Sequence, residues 1–122
     1  MVVSLKTSRQ FSYVYKKGVK KHHGLFMLYT LPLNSTHRHF LGIQESVLGL
    51  SVSKKVGNAV QRNLIKRRVR AIFQHLPLKT PQAIVFVAKS GLHQLPYITL
   101  QDYIRQCLFS RASQRTKKNH GL

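Results

Sequence analysis

The chain has 122 residues, 43 % of them hydrophobic, which suits one domain with one real core and leaves little room for a second. Lysine and arginine number 21 against 2 acids, Glu45 and Asp102, for a formal net charge of +19. Self-repulsion on that scale opposes compactness, so the charge points to a strongly anionic partner, and no apolar run nears the roughly 18 residues that a membrane span requires.

In chain order, the first predicted helix covers about 7–17. Thr7 and Gln10 have capping-box spacing, Gly18 is a plausible stop, and Phe11, Val14 and Tyr15 share one face at i, i+3, i+4. The run Leu25–Leu31 is short and rich in strand formers. Residues 32–46, with Pro32, Asn34, Ser35, His37, His39 and Gly42, read as a connecting loop in which Phe40–Ile43 could extend a neighbouring strand. Leu48, Leu50 and Val52 then alternate with Gly49, Ser51 and Ser53, the period of a half-buried strand.

The second helix is the best marked. Asn58 is a good N-cap with Gln61 in the third position, and the helix should run to Gln74 or Leu76 before Pro77. Ala83–Ala88 reads as a strand buried on both faces. A last helix starts near Thr99, with Ile98 and Tyr103 placed as a hydrophobic staple and Leu100, Tyr103, Ile104, Cys107 and Leu108 as its apolar stripe. The basic tail 111–122 has no stripe and is expected to be mobile. The order helix, strand, strand, helix, strand, helix describes a single α+β domain over 1–122.

Projected at 100° per residue, the second helix separates its functions by face. Ile65, Val69, Ile72, Phe73 and Leu76 fall together as the core side. Asn63, Lys66, Arg67 and Arg70 form a straight row on another side, with Arg62 at its margin and Arg68 opposite. Charged helix faces are ordinarily just solvated. Here no acid is interleaved to relieve the repulsion, and arginine forks dominate, which suits contact with phosphates. The aromatics Phe11, Tyr15 and Tyr29 could be plain core packing, or a platform on which single-stranded nucleotides stack. Pattern alone leaves both open.

Catalytic sets are missing. Two acids distant in sequence do not suit a paired-carboxylate hydrolase. Cys107 sits in an apolar stripe and reads as packed, not nucleophilic. His22-His23 and His37/His39 lack a cysteine pair or carboxylate cluster to complete a zinc site. No P-loop or dinucleotide glycine pattern occurs. A lone cysteine, and an N-terminal Met1-Val-Val-Ser-Leu-Lys6 without a signal peptide's apolar stretch, lead us to expect a cytoplasmic protein.

The stretch Gly49–Phe73 resembles the signature of the bacterial ribonuclease P protein: a strand ending in Ser-Lys-Lys, a Gly-Asn-Ala-Val turn, and Arg62-Asn63 in a basic helix. Phe11–Gly18 is similar to that family's first helix and glycine stop, Phe26–Thr30 to its first strand, and Ile84–Lys89 to a later one. One departure stands out: the family's Arg-Asn-Arg reads Arg62-Asn63-Leu64 here.

The resemblance implies a compact domain with a central, mainly antiparallel sheet of about four strands, three helices, and a left-handed β-α-β crossover around the basic helix. General rules would favour the right-handed form. It also implies an accessory subunit of a ribonucleoprotein that removes the 5′ leader of precursor tRNA. The catalyst would be the ribonuclease P RNA working with Mg²⁺ held mainly by RNA and substrate, and no obligate protein partner is evident. Arg62, Asn63, Lys66, Arg67 and Arg70 would dock on that RNA. Phe11, Tyr15 and Tyr29, with Ser53 and Lys54 nearby, would contact the leader. Rival readings are a small ribosomal or other structural RNA-binding protein, which shares the composition but not the 49–73 signature, and a DNA-binding helix-turn-helix protein. The latter would need a short helix where the alternating strand 48–53 stands.

Overall fold

Local capping chemistry sets where two of the helices begin. In the computed structural model, which describes residues 2–5, 7–33 and 45–109, α1 spans Ser8–Lys17 and α2 spans Ala59–Gln74. The Thr7 hydroxyl accepts from the Gln10 N–H at 3.1 Å, and the Gln10 Oε1 accepts from the Thr7 N–H at 3.4 Å. Asn58 and Gln61 make the same reciprocal pair for α2, both bonds at 2.9 Å. Each box satisfies two donors that a helix start otherwise strands. α1 ends at Gly18 for lack of space, not for backbone freedom. Its φ of −77° suits any residue, but a Cβ there would lie 2.6 Å from the Val14 carbonyl oxygen and 3.0 Å from that of Thr30.

The third helix, α3, runs Tyr97–Phe109, beginning two residues ahead of the Thr99 start expected from sequence. Pro96 leads into it, and its carbonyl accepts from the Leu100 N–H at 3.0 Å. With that earlier start Ile98 lies 64 % exposed, while Tyr103 packs on His23, so the expected staple between them does not form.

Five strands make one sheet: β1 (Val2–Ser4), β2 (Val19–His23), β3 (Phe26–Pro32), β4 (Ser46–Ser51) and β5 (Gln82–Ala88), in the order β1-β4-β5-β3-β2. The pairs β2/β3 and β3/β5 are antiparallel, while β1/β4 and β4/β5 are parallel. The α+β class stands, but the sheet is mixed and has one strand more than the expected four. The parallel neighbours β4 and β5 flank α2 in sequence, so α2 is the crossover of a β-α-β unit. The strand extension at Phe40–Ile43, the histidines at 37 and 39, and the tail from 111 lie outside the described residues.

Each face of the sheet carries its own core. On one side Phe26, Leu28, Leu48, Ile84 and Phe86 meet Ile65, Val69, Ile72 and Phe73 of α2 and Leu100 and Ile104 of α3. On the other, Val47, Ala83, Val85 and Leu31 meet Leu5 and the fully buried Val14 of α1. β4 is therefore buried on both faces over Ser46–Gly49, not half-buried as its alternation suggests. The residue that makes room is Gly49, where a Cβ would lie 2.6 Å from the Leu5 side chain and from the Phe11 ring.

Candidate nucleic-acid interface

α2 presents three sides. Ile65, Val69, Ile72 and Phe73 are buried against the sheet. Arg68 turns toward the segment before α3, its Nη1 donating to the Leu95 carbonyl at 2.8 Å. That bond takes Arg68 out of the donor row, as its projection implied. Asn63, Arg67 and Arg70 are exposed and Lys66 is half-buried, so the row read from the sequence lies open along the helix. Arg70 borders a small hollow with Val2, Val3, Ser4 and Leu48, which places this end of the row beside the β1 edge. Arg62 bends back, its Nε donating to the Gly57 carbonyl at 3.2 Å, and so stands at the helix start. Of the two acids, Glu45 precedes β4 and borders a hollow with Lys79, and Asp102 is on α3. Neither is on α2, so the row keeps its full positive field.

On the other face of the sheet, α1 and β3 bring the three aromatics together. The Tyr15 and Tyr29 rings meet edge-on, centroids 4.8 Å apart at 86°, and Phe11 lies 6.5 Å from Tyr15. Phe11 and Tyr29 pack on the inner cluster, but Tyr15 is 38 % exposed. The trio is therefore neither fully core nor free-standing: its inner members are fixed by packing and its outer ring faces solvent.

The register shows where the open sheet leads from there. Tyr29 pairs with Val85 and Lys20, and the next row on the same face is His22, Met27, Val87 and Ser51. Ser53 and Lys54, both exposed, follow β4 beyond Ser51. Ser53 accepts through its carbonyl from the Val56 N–H at 3.0 Å and opens the 3-10 turn Lys54–Val56. The Ser90 hydroxyl donates to the Lys55 carbonyl at 3.0 Å, tying this turn to the end of β5. Ser53 and Lys54 thus stand at the opposite end of the floor from Phe11, and the chain passes from them directly into α2.

Sequence reasoning missed two side chains at that same end, His22 and Lys89. The Lys89 Nζ and His22 Nε2 lie 2.7 Å apart. The signal was weak, since β2 reads Val-Lys-Lys-His-His, without apolar alternation. Its two faces separate only in the fold: Lys21 donates to the Leu108 carbonyl of α3 at 3.3 Å and His23 stacks near Tyr103, leaving Lys20 and His22 on the α1 side. Among the described residues no three His, Cys, Asp or Glu side chains group closely enough to hold a metal ion. No helix among them is long and apolar enough to cross a membrane.

Comparison with known proteins bears on what this surface serves. The family model described as Ribonuclease P matches residues 2–113. The "Ribonuclease P protein component" of Helicobacter acinonychis (strain Sheeba) is 40 % identical over 128 residues, covering 97 % of this chain and 84 % of that protein. That of Shouchella clausii (strain KSM-K16) is 50 % identical over 95 residues, 76 % and 72 % of the two chains. Among solved structures, the Staphylococcus aureus RNase P protein superposes with a TM-score of 0.72 at 32 % identity, over 86 % of this chain and 91 % of its own. The Thermotoga maritima RNase P protein gives 0.66 at 25 % identity, over 81 % and 88 %. These matches run through both cores, α2 and the aromatic face together, and favour the Ser-Lys-Lys and Arg-Asn signature over the ribosomal-protein reading. The chain belongs to the ribonuclease P protein component family.

Proposed function

We propose that this chain is the accessory protein of a ribonucleoprotein that removes 5′ leaders from precursor tRNA in the cytoplasm. In this reading the open row Arg62, Asn63, Lys66, Arg67 and Arg70 docks on the catalytic RNA. The face bearing Phe11, Tyr15 and Tyr29, with Ser53 and Lys54 at its far end, receives the single-stranded leader. The observation that carries it is the continuity of the two surfaces: the sheet floor below the aromatics ends at Ser53–Lys54, and the basic helix begins five residues after Ser53 closes β4's path, at the Asn58 cap. A strand held on the floor and an RNA held on α2 would therefore be brought side by side.

The protein's share of the chemistry is positional. Hydrolysis of a phosphodiester needs charge stabilisation and an activated water, commonly through metal ions. In this reading the ions are held mainly by RNA and substrate, whose phosphates are the natural ligands of Mg²⁺. The protein would raise the affinity of the correct substrate and lower the Mg²⁺ needed by supplying fixed cations near the phosphates. The test is reconstitution with a ribonuclease P RNA and a precursor-tRNA cleavage assay at low Mg²⁺. RNA plus protein should cleave where RNA alone does not, and RNA-free protein should be inactive. Tyr15→Ala or Tyr29→Ala should weaken precursor binding by about 1–3 kcal/mol and leave mature tRNA unaffected, as expected for loss of a stacked base. Equal losses for both ligands would return the aromatics to plain packing.

A further inference from the structure

Two residues of β1 turn their backbone groups away from the sheet, and α2 meets only one of them with a matching partner. The Leu5 N–H donates to the Leu48 carbonyl at 3.0 Å, so in the parallel ladder Val3 and Leu5 point to β4 while Val2 and Ser4 point to the open edge. Val2 is closed off by Gln74. Its N–H donates to Gln74 Oε1 at 3.4 Å, and its carbonyl accepts from Gln74 Nε2 at 3.1 Å. One side-chain amide thus stands where the peptide group of a further strand would, and blocks the edge against pairing with another chain.

Ser4 is the next edge residue, and Arg70 is its counterpart on α2. Two residues of strand advance about 6.6 Å and four residues of helix about 6 Å, so the spacing that sets Gln74 beside Val2 sets Arg70 beside Ser4. Both border one hollow of about 40 Å³, together with Val2, Val3, Leu48 and Gln74. Val2 packs toward α2, and Ser4, two residues on, projects its hydroxyl to the same side. The chemistry of the two pairs differs. Glutamine carries a donor and an acceptor and can close both backbone groups, whereas arginine has donors only. The outward Ser4 N–H therefore finds no acceptor among the described residues, and no acid is among those that line the hollow. An oxyanion would complete it, accepting from an amide, a hydroxyl and a guanidinium at once. The volume leaves room for roughly three oxygen-sized groups, which suits the exposed oxygens of a single phosphate.

We infer that Ser4 and Arg70 form a seat for one backbone phosphate of the catalytic RNA, carrying the docking surface from α2 onto the β1 edge, with Gln74 as the positioning residue. The inference rests on the reading that α2 docks on that RNA. The Ser4 N–H and hydroxyl and the Arg70 fork donate to the two non-bridging oxygens, without regard to base. Gln74 touches no phosphate. It holds Val2, and through Val2 the lie of the edge.

Salt-titrated binding of the full chain to a ribonuclease P RNA, read beside thermal melts, tests this. Ser4→Pro removes both donors at a place where an edge strand tolerates proline, because the lost N–H faces outward. It should weaken binding about tenfold, with the melting temperature kept and the salt slope unchanged, since no charge is lost. Ser4→Ala, which keeps the amide, should cost about threefold. In an Arg70→Ala background either change should have little further effect. Gln74→Met keeps the length without the amide. It should weaken binding and add little to Ser4→Pro, whereas a merely structural loss would add in full. Ser4 variants that bind like the parent, or losses fully additive with Arg70→Ala, would overturn the seat. If Ser4→Pro melts lower, Ser4→Ala decides alone. Arg67→Ala separates the two layers. A shallower slope there with no effect at Ser4 removes only the seat; no change in any α2 variant removes the docking reading with it.

Discussion

Gly49 and Phe11 fit together as slot and ring: a Cβ on Gly49 would sit 2.6 Å from two carbons of the Phe11 ring. The close approach lets α1 lie flat on the sheet and fixes the inner aromatic of the face that we assign to the leader. Gly49→Ala must therefore displace Phe11, Leu5 or both. Overpacking of this kind typically costs about 1–3 kcal/mol. We expect a clear fall in denaturation midpoint, together with weaker binding of precursor tRNA but not of mature tRNA. A variant that melts like the parent would mean that the helix shifts freely, and the ring position would then have no bearing on binding.

The three arginines at 67, 68 and 70 are nearly adjacent in sequence and should behave oppositely when removed. Arg67 and Arg70 are exposed, while Arg68 is bonded to the Leu95 carbonyl at 2.8 Å. Arg67→Ala or Arg70→Ala should make the salt dependence of catalytic-RNA binding shallower by about one unit and leave stability within about 0.5 kcal/mol. Arg68→Ala should leave the slope unchanged and destabilise the fold by about 1–2 kcal/mol, since it frees a tie between α2 and the approach to α3. Salt-titrated binding and thermal melts on the three variants check this. A shallower slope for Arg68→Ala would place it on the RNA side after all.

His23 gives the fold a pH dependence of known sign. Its ring stacks on Phe26 at 4.7 Å and lies 4.4 Å from Tyr103, joining the β2–β3 hairpin to α3. Burial, and then the neighbouring His22, hold its pKa below the ordinary 6.5. The unfolded chain therefore binds more protons than the folded one just below that value, so stability is full above it and falls as pH drops through the folded pKa. Melting temperature should decrease between about pH 7.5 and about pH 5.5, and decrease less in His23→Phe, which keeps the stack without the titration. Equal decreases in parent and variant would assign the effect to the other histidines.

What could be read from the chain was whatever is written locally. Thr7 with Gln10 and Asn58 with Gln61 encode their caps within four residues, and the two sides of α2 are set by its own period. β1 and β2 were illegible for a different reason. Val2–Ser4 is too short to show a pattern, and it becomes a strand only through parallel pairing with β4, more than forty residues on. In β2, Lys20 and His22 face one way and Lys21 and His23 the other, so polarity carries no contrast. Its strand character comes from the ladder to β3, and with it came the His22–Lys89 contact that no spacing rule would suggest. Gly49 misled in a third way: in an alternating strand a small residue reads as the solvent side, whereas here it is small because a ring occupies the space.

Leu64 stands where relatives of the signature carry arginine, and its surroundings turn that departure into a test. It is half-exposed on α2, one turn after Val60, which is 78 % exposed, and about 60° around the helix from Arg67. The buried side of the helix is made by Ile65, Val69, Ile72 and Phe73. Leu64 thus borders the donor row without belonging to the core. Leucine cannot donate to a phosphate, so one contact available to an arginine is missing at this place. Leu64→Arg should restore it: tighter binding to the catalytic RNA, and a salt dependence steeper by about one counterion. The long arginine stem can cover the same apolar surface while its head stays in water, so stability should remain within about 0.5 kcal/mol of the parent. If the position were closed by a neighbouring segment, the same change would bury an unpaired charge and cost well over about 1 kcal/mol, with no gain in affinity. Thermal melts read beside salt-titrated RNA binding distinguish these outcomes on a single variant, and a large loss of melting temperature without tighter binding would remove Leu64 from the RNA-facing side.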